Sequence, residues 1–307
     1  MLKRFVLKIL LLFFLLAALD YAVGIGMDYV SSHITTGEAG RDNFITDSVM
    51  SDVLIMGSSR AVHHYNARLL SDSLGLSCYN CGEGACGIIM AYARLTMLME
   101  RHVPQHIIYE VTPMYDFLVY DDNRQSLGRL KLHYDRQGVD SIFAEFDTRE
   151  KYMMKSGLYR HNTTFLKDLL AFVSKSNEGN DLGFEPFNVP FNPLLTTDRT
   201  TIHYDRRMGY EYDSLKIKYL NKFIDLAQHQ STLTFVVSPV WYGQDTLVMD
   251  YMKKICLERS ISLLDFSNDS KYVHHDEYFS DGIHLNARGA DEFTRDLLET
   301  MREKGIL

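Results

Sequence analysis

Hydrophobic and polar positions along this chain fall into three regimes. Residues 5–19 are almost continuously apolar, broken at Lys8. From residue 52, short runs rich in Val, Ile, Leu and Phe alternate with longer stretches of helical spacing, and between about 117 and 231 that alternation lapses. The short runs at 52–56, 77–80, 107–111, 234–237 and 261–266 predict five strands, and the spacing predicts helices over 60–73, 88–101, 246–259 and 287–303. In the helix at 88–101, Ala91, Leu95, Leu98 and Met99 share a face and Pro104 marks the end. In the last helix Phe293, Leu297, Leu298 and Met301 turn inward before Gly305. A β-α-β-α-β order with crossover helices predicts an α/β protein with a parallel sheet and helices on both sides.

The middle of the chain reads differently. Residues 117–212 shift toward Tyr, Arg, Asn and Asp, with Pro186, Pro190 and Pro193 close together and one helix at 164–173. Such length without strands exceeds a connecting loop, so it reads as an insertion covering one end of the sheet, where substrate choice would be made. A helix at 213–228, striped by Leu215, Tyr219, Leu220, Phe223 and Ile224, returns the chain to the alternating pattern. Residues 28–51, polar and irregular, read as a linker into the first strand. The expected organisation is an anchor over 1–30 followed by one domain over 31–307.

The anchor rests on charge as well as hydropathy. Lys3, Arg4 and Lys8 precede the apolar run 9–19, the arrangement of an export signal. A spanning helix needs about 20 residues, a length reached when Lys8 snorkels and the span extends to about residue 27. No small-x-small cleavage site stands in 17–22, so an uncleaved single-pass anchor in the inner (cytoplasmic) membrane is expected. Its positive flank places the N-terminus in the cytoplasm and the domain on the periplasmic side.

Composition narrows the function classes. The 307 residues are 46% hydrophobic and 23% charged, as in an ordinary globular chain. A net charge of -8 without a long basic block excludes a nucleic-acid phosphate footprint. Cys78, Cys81 and Cys86 lie close together, yet Cys78-x2-Cys81 has no matching second pair, so core thiols are favoured over a metal site and no disulfide framework is implied. There is no Gly-x-Gly-x-x-Gly opening a helix and no P-loop, so no cofactor and no metal are expected.

The chemistry concentrates at two short stretches. The first strand stops at Gly57-Ser58-Ser59-Arg60-Ala61, where glycine permits a tight turn and the following helix presents its free N–H groups and positive dipole end. A serine there is either the helix N-cap or a nucleophile in an anion-stabilising field. Before the last helix stands Ser280-Asp281-Gly282-Ile283-His284-Leu285-Asn286. An aspartate three residues before a histidine meets the imidazole if the backbone makes one helical turn, and there fixes its tautomer and stabilises the imidazolium. Alone, His284 would equally be a surface or capping histidine. Together the stretches say more, because loops at the carboxyl ends of parallel strands share one crevice. Ser59 follows the first strand, the glycine-rich turn 82–87 the second, Thr112 the third, and Asp281 with His284 the fifth. A nucleophile, backbone donors, a polar side chain and a base would meet there.

In this arrangement residues 52–111 and 234–298 resemble the SGNH hydrolase superfamily, also called the GDSL esterases and lipases. The resemblance implies a three-layer α/β/α sandwich of flavodoxin-like type around about five parallel strands. It maps the nucleophile onto Ser59 of Gly57-Ser58-Ser59 and the closing pair onto Asp281 and His284. Ser58 replaces the usual aspartate, as in envelope-associated branches that resemble the D-alanyl transfer protein DltD and alginate O-acetylation proteins. The second family block has a glycine five residues after an asparagine; here that count from Asn80 reaches Ala85, with Gly84 beside it. Either amide would serve the oxyanion hole, alanine provided its φ is negative. The third block's asparagine is absent from Thr112-Pro113-Met114-Tyr115-Asp116. One such donor is worth about 100- to 1000-fold in rate, so Thr112 or Arg60 would replace it, Arg60 otherwise being a helix-surface arginine.

The implied activity is that of a serine esterase or O-acyltransferase working through a Ser59 acyl-enzyme on an acylated envelope polysaccharide or a small ester. Protein partners are not legible. The alternative is a degenerate site that binds a glycan or partner at the cell envelope, with the Tyr-rich insertion as its contact surface. An α/β-hydrolase would place several strands before its nucleophile, and only one precedes Ser59.

Overall fold

A computed structural model describes residues 1–120, 123–124, 127–174, 181–192, 204–205 and 209–306. In chain order the elements are α1 (Leu2–Ser32), α2 (Gly37–Asp47), β1 (Val53–Gly57), α3 (Ser59–His64), α4 (Ala67–Leu74), β2 (Cys78–Asn80), α5 (Ile88–Met99), β3 (His106–Glu110), α6 (Pro113–Asp116), α7 (Val139–Phe146), α8 (Glu150–Met153), α9 (Gly157–His161), α10 (Phe165–Val173), β4 (Tyr204–Asp205), β5 (Gly209–Tyr210), α11 (Ser214–Gln230), β6 (Thr232–Val237), α12 (Asp250–Arg259), β7 (Ser262–Asp265) and α13 (Ala287–Glu303). They divide into two compact units, one made of Met1–Ser48 with Asn123–Glu178 and the other of Val49–Asp122 with Gly179–Leu307.

The second unit is built on a five-stranded sheet in the order β2-β1-β3-β6-β7, every neighbouring pair parallel. All five residues of β1 are buried, as the unbroken apolar run requires when both faces of a parallel sheet are covered. Alternate side chains serve opposite faces. Val53, Ile55, Ile108, Val236 and Leu264 join Tyr65, Leu70, Phe293, Leu297 and Met301 in one core. On the other face the Tyr109 ring lies 5.0 Å from Phe223 of α11 and 5.7 Å from Phe235. Register pairs Gly57 with Glu110 and Val237 with Asp265, so the strands end together on one side. A small antiparallel ribbon, β4 with β5, lies outside this sheet.

Three local expectations are corrected. The helix expected over 60–73 is two helices, because Tyr65 is extended and Asn66 starts α4 anew by accepting from Leu69 N at 3.0 Å. Asn80 Nδ2 takes the carbonyls of Ala61 (2.6 Å) and Tyr65 (3.1 Å), which the break leaves without helical partners. The stretch 246–259 opens as a 3-10 turn, Thr246–Met249, capped by Asp245, before α12. Residues 28–51, expected as irregular linker, are largely helical: α1 continues to Ser32 and α2 follows. The residues carry little intrinsic amphipathic signal, and tertiary contacts supply the order, as where Asn43 Nδ2 donates to Ser31 O (2.6 Å) and Ile34 O (3.0 Å).

The first unit explains the polar residues that interrupt the apolar N-terminal run. Asp20 Oδ1 accepts from Ser156 Oγ and Leu158 N, both at 2.9 Å, at the start of α9. Gly24 packs on Gly157 so closely that a Cβ at Gly24 would lie 2.9 Å from the Gly157 Cα. Asp28 pairs with Arg160 at 2.7 Å and with His161 Nε2 at 2.9 Å, and Ser31 Oγ donates to the fully buried Asp168 at 2.9 Å. Residues 123–124 and 127–174 of the expected insertion therefore group with α1 and α2, while 181–192 belong to the sheet unit. The helix expected over 164–173 is present as α10; residues 193–203 and 206–208 of the same insertion lie outside the described residues.

Candidate active site

Gly57 ends β1 with φ +136°, and a Cβ there would stand 2.6 Å from the Glu110 carbonyl oxygen. The chain then turns straight into α3. Ser58 occupies the N-cap position, but its side chain makes no cap bond, and its buried Oγ has no hydrogen-bond partner among the described residues. Ser59 is the first helical residue and is half-buried. Its Oγ lies 2.8 Å from His284 Nε2, so it is not engaged as a cap.

The histidine is set by a compact loop rather than by the helical turn expected between Asp281 and His284. Asp281 Oδ1 accepts from Ile283 N (2.9 Å) and His284 N (2.8 Å), and Oδ2 meets His284 Nδ1 at 2.8 Å. One carboxylate thus folds the loop around itself and holds the ring. Ser280 N donates to His284 O at 2.9 Å, and Asn286 caps α13 by accepting from Gly289 N. Since Asp281 accepts from Nδ1–H, His284 Nε2 is left to accept from Ser59. Burial alone would raise the Asp281 carboxyl; its bonds to His284 and to the Ile283 and His284 amides outweigh that and hold it below the ordinary value. The side chains of His284 and Asp281 keep 16% and 10% of their exposure, enough to be reached from solvent.

Arg60 departs from expectation. It is 4% exposed rather than on the helix surface, and its guanidinium meets Glu110 Oε1 at 2.9 Å, the Val111 carbonyl and Thr112 Oγ1 at 3.4 Å. Glu110 also accepts from the Tyr65 hydroxyl and from Ser238, N at 3.0 Å and Oγ at 2.9 Å. Burial pushes the Glu110 carboxyl up, against Arg60, Tyr65 and Ser238. Because every partner is a donor, the group is held as a carboxylate. The Ser238 hydroxyl lies 2.7 Å from His64 Nδ1, and His64 Nε2 accepts from Leu285 N at 3.0 Å. Residues Glu110, His64 and Ser238 carry no motif and escape a reading by spacing; the available signal is a glutamate closing an otherwise apolar strand.

The remaining expected donors are placed as follows. Thr112 is 8% exposed; its hydroxyl accepts from Arg60, which leaves its own proton to give, and its amide donates to Asp116 Oδ2 at 2.6 Å. Gly84 and Ala85 form an exposed turn at the carboxyl end of β2. Among the described residues nothing accepts a hydrogen bond from either amide. Ala85 has φ +56°, so the condition of negative φ set for its amide is not met, and the left-handed position falls on the alanine instead of the neighbouring glycine. Glu83, ion-paired with the buried Arg94, anchors the turn, and Gly82 lets it press on α3, where a Cβ would stand 2.7 Å from Val62 N. Of the expected insertion, residues 185–187 reach the site: His63 Nδ1 is 2.7 Å from Glu185 O, and the Phe187 ring lies 5.5 Å from that of His284.

Cys78, Cys81, Cys86 and Cys256 are buried free thiols, and burial pushes Cys78 up to about 12. Among the described residues no three or more His, Cys, Asp or Glu gather in a set fit to hold a metal.

The fold and site define an α/β protein with a parallel five-stranded sheet and a Ser–His–Asp cluster at the carboxyl ends of its strands. Solved structures similar to the chain include the following two. One, from Bacteroides fragilis and provisionally described as an acylhydrolase, is 10% identical with a TM-score of 0.42, over 88% of this chain and 99% of that one. Another, from Streptococcus pneumoniae and provisionally described as a platelet activating factor, is 11% identical with a TM-score of 0.37, over 96% of this chain and 99% of that one. No family model and no curated protein matches the chain.

Proposed function

We propose that this chain is a serine-dependent acyl-ester hydrolase or O-acyltransferase of SGNH type. The observation that carries the proposal is the unbroken relay from Ser59 Oγ through His284 to Asp281, with both links at 2.8 Å. Ser59 Oγ attacks the acyl carbonyl while His284 Nε2 takes its proton; the carbonyl oxygen becomes an oxyanion, and Asp281 stabilises the imidazolium. The Ser59 and Gly84 amides and the Thr112 hydroxyl are the donors for that oxyanion, Thr112 standing in for the absent asparagine. Collapse breaks the ester bond and returns the proton from His284 to the departing alcohol. Water or a sugar hydroxyl then gives its proton to His284 and attacks the acyl-Ser59 ester, restoring the serine. Envelope polysaccharide esters are the proposed substrates, with segment 185–187 shaping the entrance beside His284.

The N-terminal helix, long and apolar enough to cross a membrane, is proposed as an uncleaved single-pass anchor in the inner membrane, with the site on the periplasmic side. Retention is supported by the bonds that Asp20, Asp28 and Ser31 make inside the first unit, which processing near residue 20 would disturb.

The test uses the full-length chain in detergent: a fluorophosphonate probe and a short-chain aryl acetate, beside Ser59→Ala and His284→Ala variants of unchanged melting temperature. Labelling confined to Ser59 and turnover lost in both variants is expected. A folded chain that is neither labelled nor active would instead be a glycan- or partner-binding protein.

A further inference from the structure

Behind the Ser59–His284 pair lies a second set of polar side chains sealed from solvent. His64, Ser238 and Glu110 are each fully buried, and Arg60 is 4% exposed. The order of protons through this set can be read from its ends. A backbone N–H only donates, so the bond from Leu285 N makes His64 Nε2 an acceptor, and Nδ1 must carry the ring proton. Nδ1–H donates to Ser238 Oγ (2.7 Å), Ser238 Oγ–H donates to Glu110 Oε1 (2.9 Å), and Glu110 closes the chain on Arg60 (2.9 Å). Burial, then the neighbouring His284, Arg60 and His63, keep His64 well below the ordinary histidine range, against a hydrogen bond to the Ile283 backbone.

The two ends of the chain matter most. Arg60 directly follows Ser59, and Leu285 directly follows His284. The network therefore ties the residue after one member of the reacting pair to the residue after the other, through the ends of β3 and β6. His64 itself sits on α3, the helix that Ser59 begins, and its ring lies 6.2 Å from the His284 ring.

From this geometry we infer that His64 is a positioning residue: it holds the His284 loop at the distance from α3 at which Nε2 accepts the Ser59 proton. The inference rests on the proposed roles of Ser59 and His284. Asp281 holds the amide at the start of His284 and the ring, and the Leu285 amide, fixed by His64, holds the end of His284 against α3. Without the His64 acceptor the Leu285 N–H is buried and unpaired, and the loop has to move to satisfy it. His64 touches neither substrate nor the reacting atoms.

The experiment compares His64→Asn and His64→Gln in the full-length chain in detergent, reading the rate of fluorophosphonate labelling at Ser59 and kcat and KM for an aryl acetate. Asparagine keeps a donor for Ser238 but does not reach Leu285, whereas glutamine extends a carbonyl toward that amide. His64→Asn is expected to slow labelling and kcat by about 10- to 100-fold, with KM within about twofold, as for a misplaced reacting group. His64→Gln is expected to recover most of the rate. Wild-type rates in His64→Asn, or a loss that His64→Gln shares in full, overturn the positioning role. If His64→Asn does not fold, Ser238→Ala takes its place, because it cuts the ring from Glu110; slower labelling supports the role and a wild-type rate overturns it. Labelled wild type with unchanged variants fails this inference alone, whereas unlabelled wild type fails the serine mechanism and the positioning role with it.

Discussion

The sheet unit holds two constellations of serine, histidine and acid, and they do opposite things. Ser59, His284 and Asp281 are linked at 2.8 and 2.8 Å; Ser238, His64 and Glu110 are linked at 2.7 and 2.9 Å. Distance does not separate them, and neither does residue type. Connectivity does. In the first set the acid holds the ring's Nδ1–H, so the ring's free lone pair faces the serine proton. In the second the ring donates to the serine, and the serine's proton goes to the acid, so that oxygen has no base to activate it. Access completes the difference: His284 retains 16% side-chain exposure and the second set is fully buried. A serine, a histidine and an acid within hydrogen-bond reach are therefore not yet a nucleophile; the direction of the protons and a path from solvent make one.

The largest effects should fall on opposite observables in the two sets. Asp281→Asn removes the acceptor that fixes the His284 tautomer, and kcat for an aryl acetate should drop by about 10⁴-fold. Asparagine keeps an oxygen that can accept from the Ile283 and His284 amides, so the melting temperature should change less than in Glu110→Ala; an unchanged kcat would break the comparison. Glu110→Ala leaves Arg60 buried without its ion pair and should cost about 3–5 kcal/mol in chemical denaturation. A Glu110→Ala protein as stable as wild type would remove the structural role given to the second set.

How much of this was legible in the sequence follows the range of the forces involved. The strands around Val53–Gly57 and Thr232–Val237 were readable as short apolar runs rich in β-formers, and the face of α13 because it repeats a helical period over several turns. Ser59, Asp281 and His284 were readable because a turn glycine and a three-residue spacing are local. The split between α3 and α4 was missed: Asn66 is an ordinary cap signal, overridden by the apolar spacing on either side of it. Helix α2 was missed because its order comes from Asn43 reaching back to Ser31 and Ile34 and from Asp42 meeting His133 at 3.2 Å. Arg60 was misplaced for the same reason. An arginine one residue into a helix is normally solvated, and only the fold brings Glu110 beside it, from a strand 50 residues on. Polar networks that join distant segments have no period, so they stay silent until the chain is folded.

A buried acid joined to Arg60 through Thr112 sharpens the comparison through pH. Asp116 lies at the end of α6 and accepts from Tyr109 Oη and Thr112 N, each at 2.6 Å. Burial pushes its carboxyl up to about 7, against those bonds and the charges of Lys216 and Arg60. The folded state thus binds a proton that the unfolded chain releases near the ordinary aspartate value. Stability from this group is complete below that value and is lost as pH rises through about 7. Asp281 has the opposite sign: its depressed carboxyl contributes above the ordinary value and is lost as pH falls below it. Melting temperatures measured between pH 4 and 7 should therefore fall less steeply in Asp116→Asn than in wild type. Parallel curves would place the titration elsewhere.

The smallest effect concerns the turn that follows β2. Ala85 adopts φ +56°, where a Cβ crowds the backbone and an L-residue pays about 1–2 kcal/mol. Glycine removes that crowding but releases chain entropy on unfolding, worth about 0.5–1 kcal/mol in the other direction. The two nearly offset, so Ala85→Gly should stabilise by about 0.5–1 kcal/mol at most. Function separates the two neighbouring positions. If the Gly84 amide is the oxyanion donor, the turn's shape matters and the Ala85 side chain does not, so Ala85→Gly should keep kcat within about twofold, as expected where no oxyanion donor is removed. A large loss of kcat in a stable Ala85→Gly protein would mean that the strained alanine itself sets the donor's aim, and would move the oxyanion contact from Gly84 to residue 85.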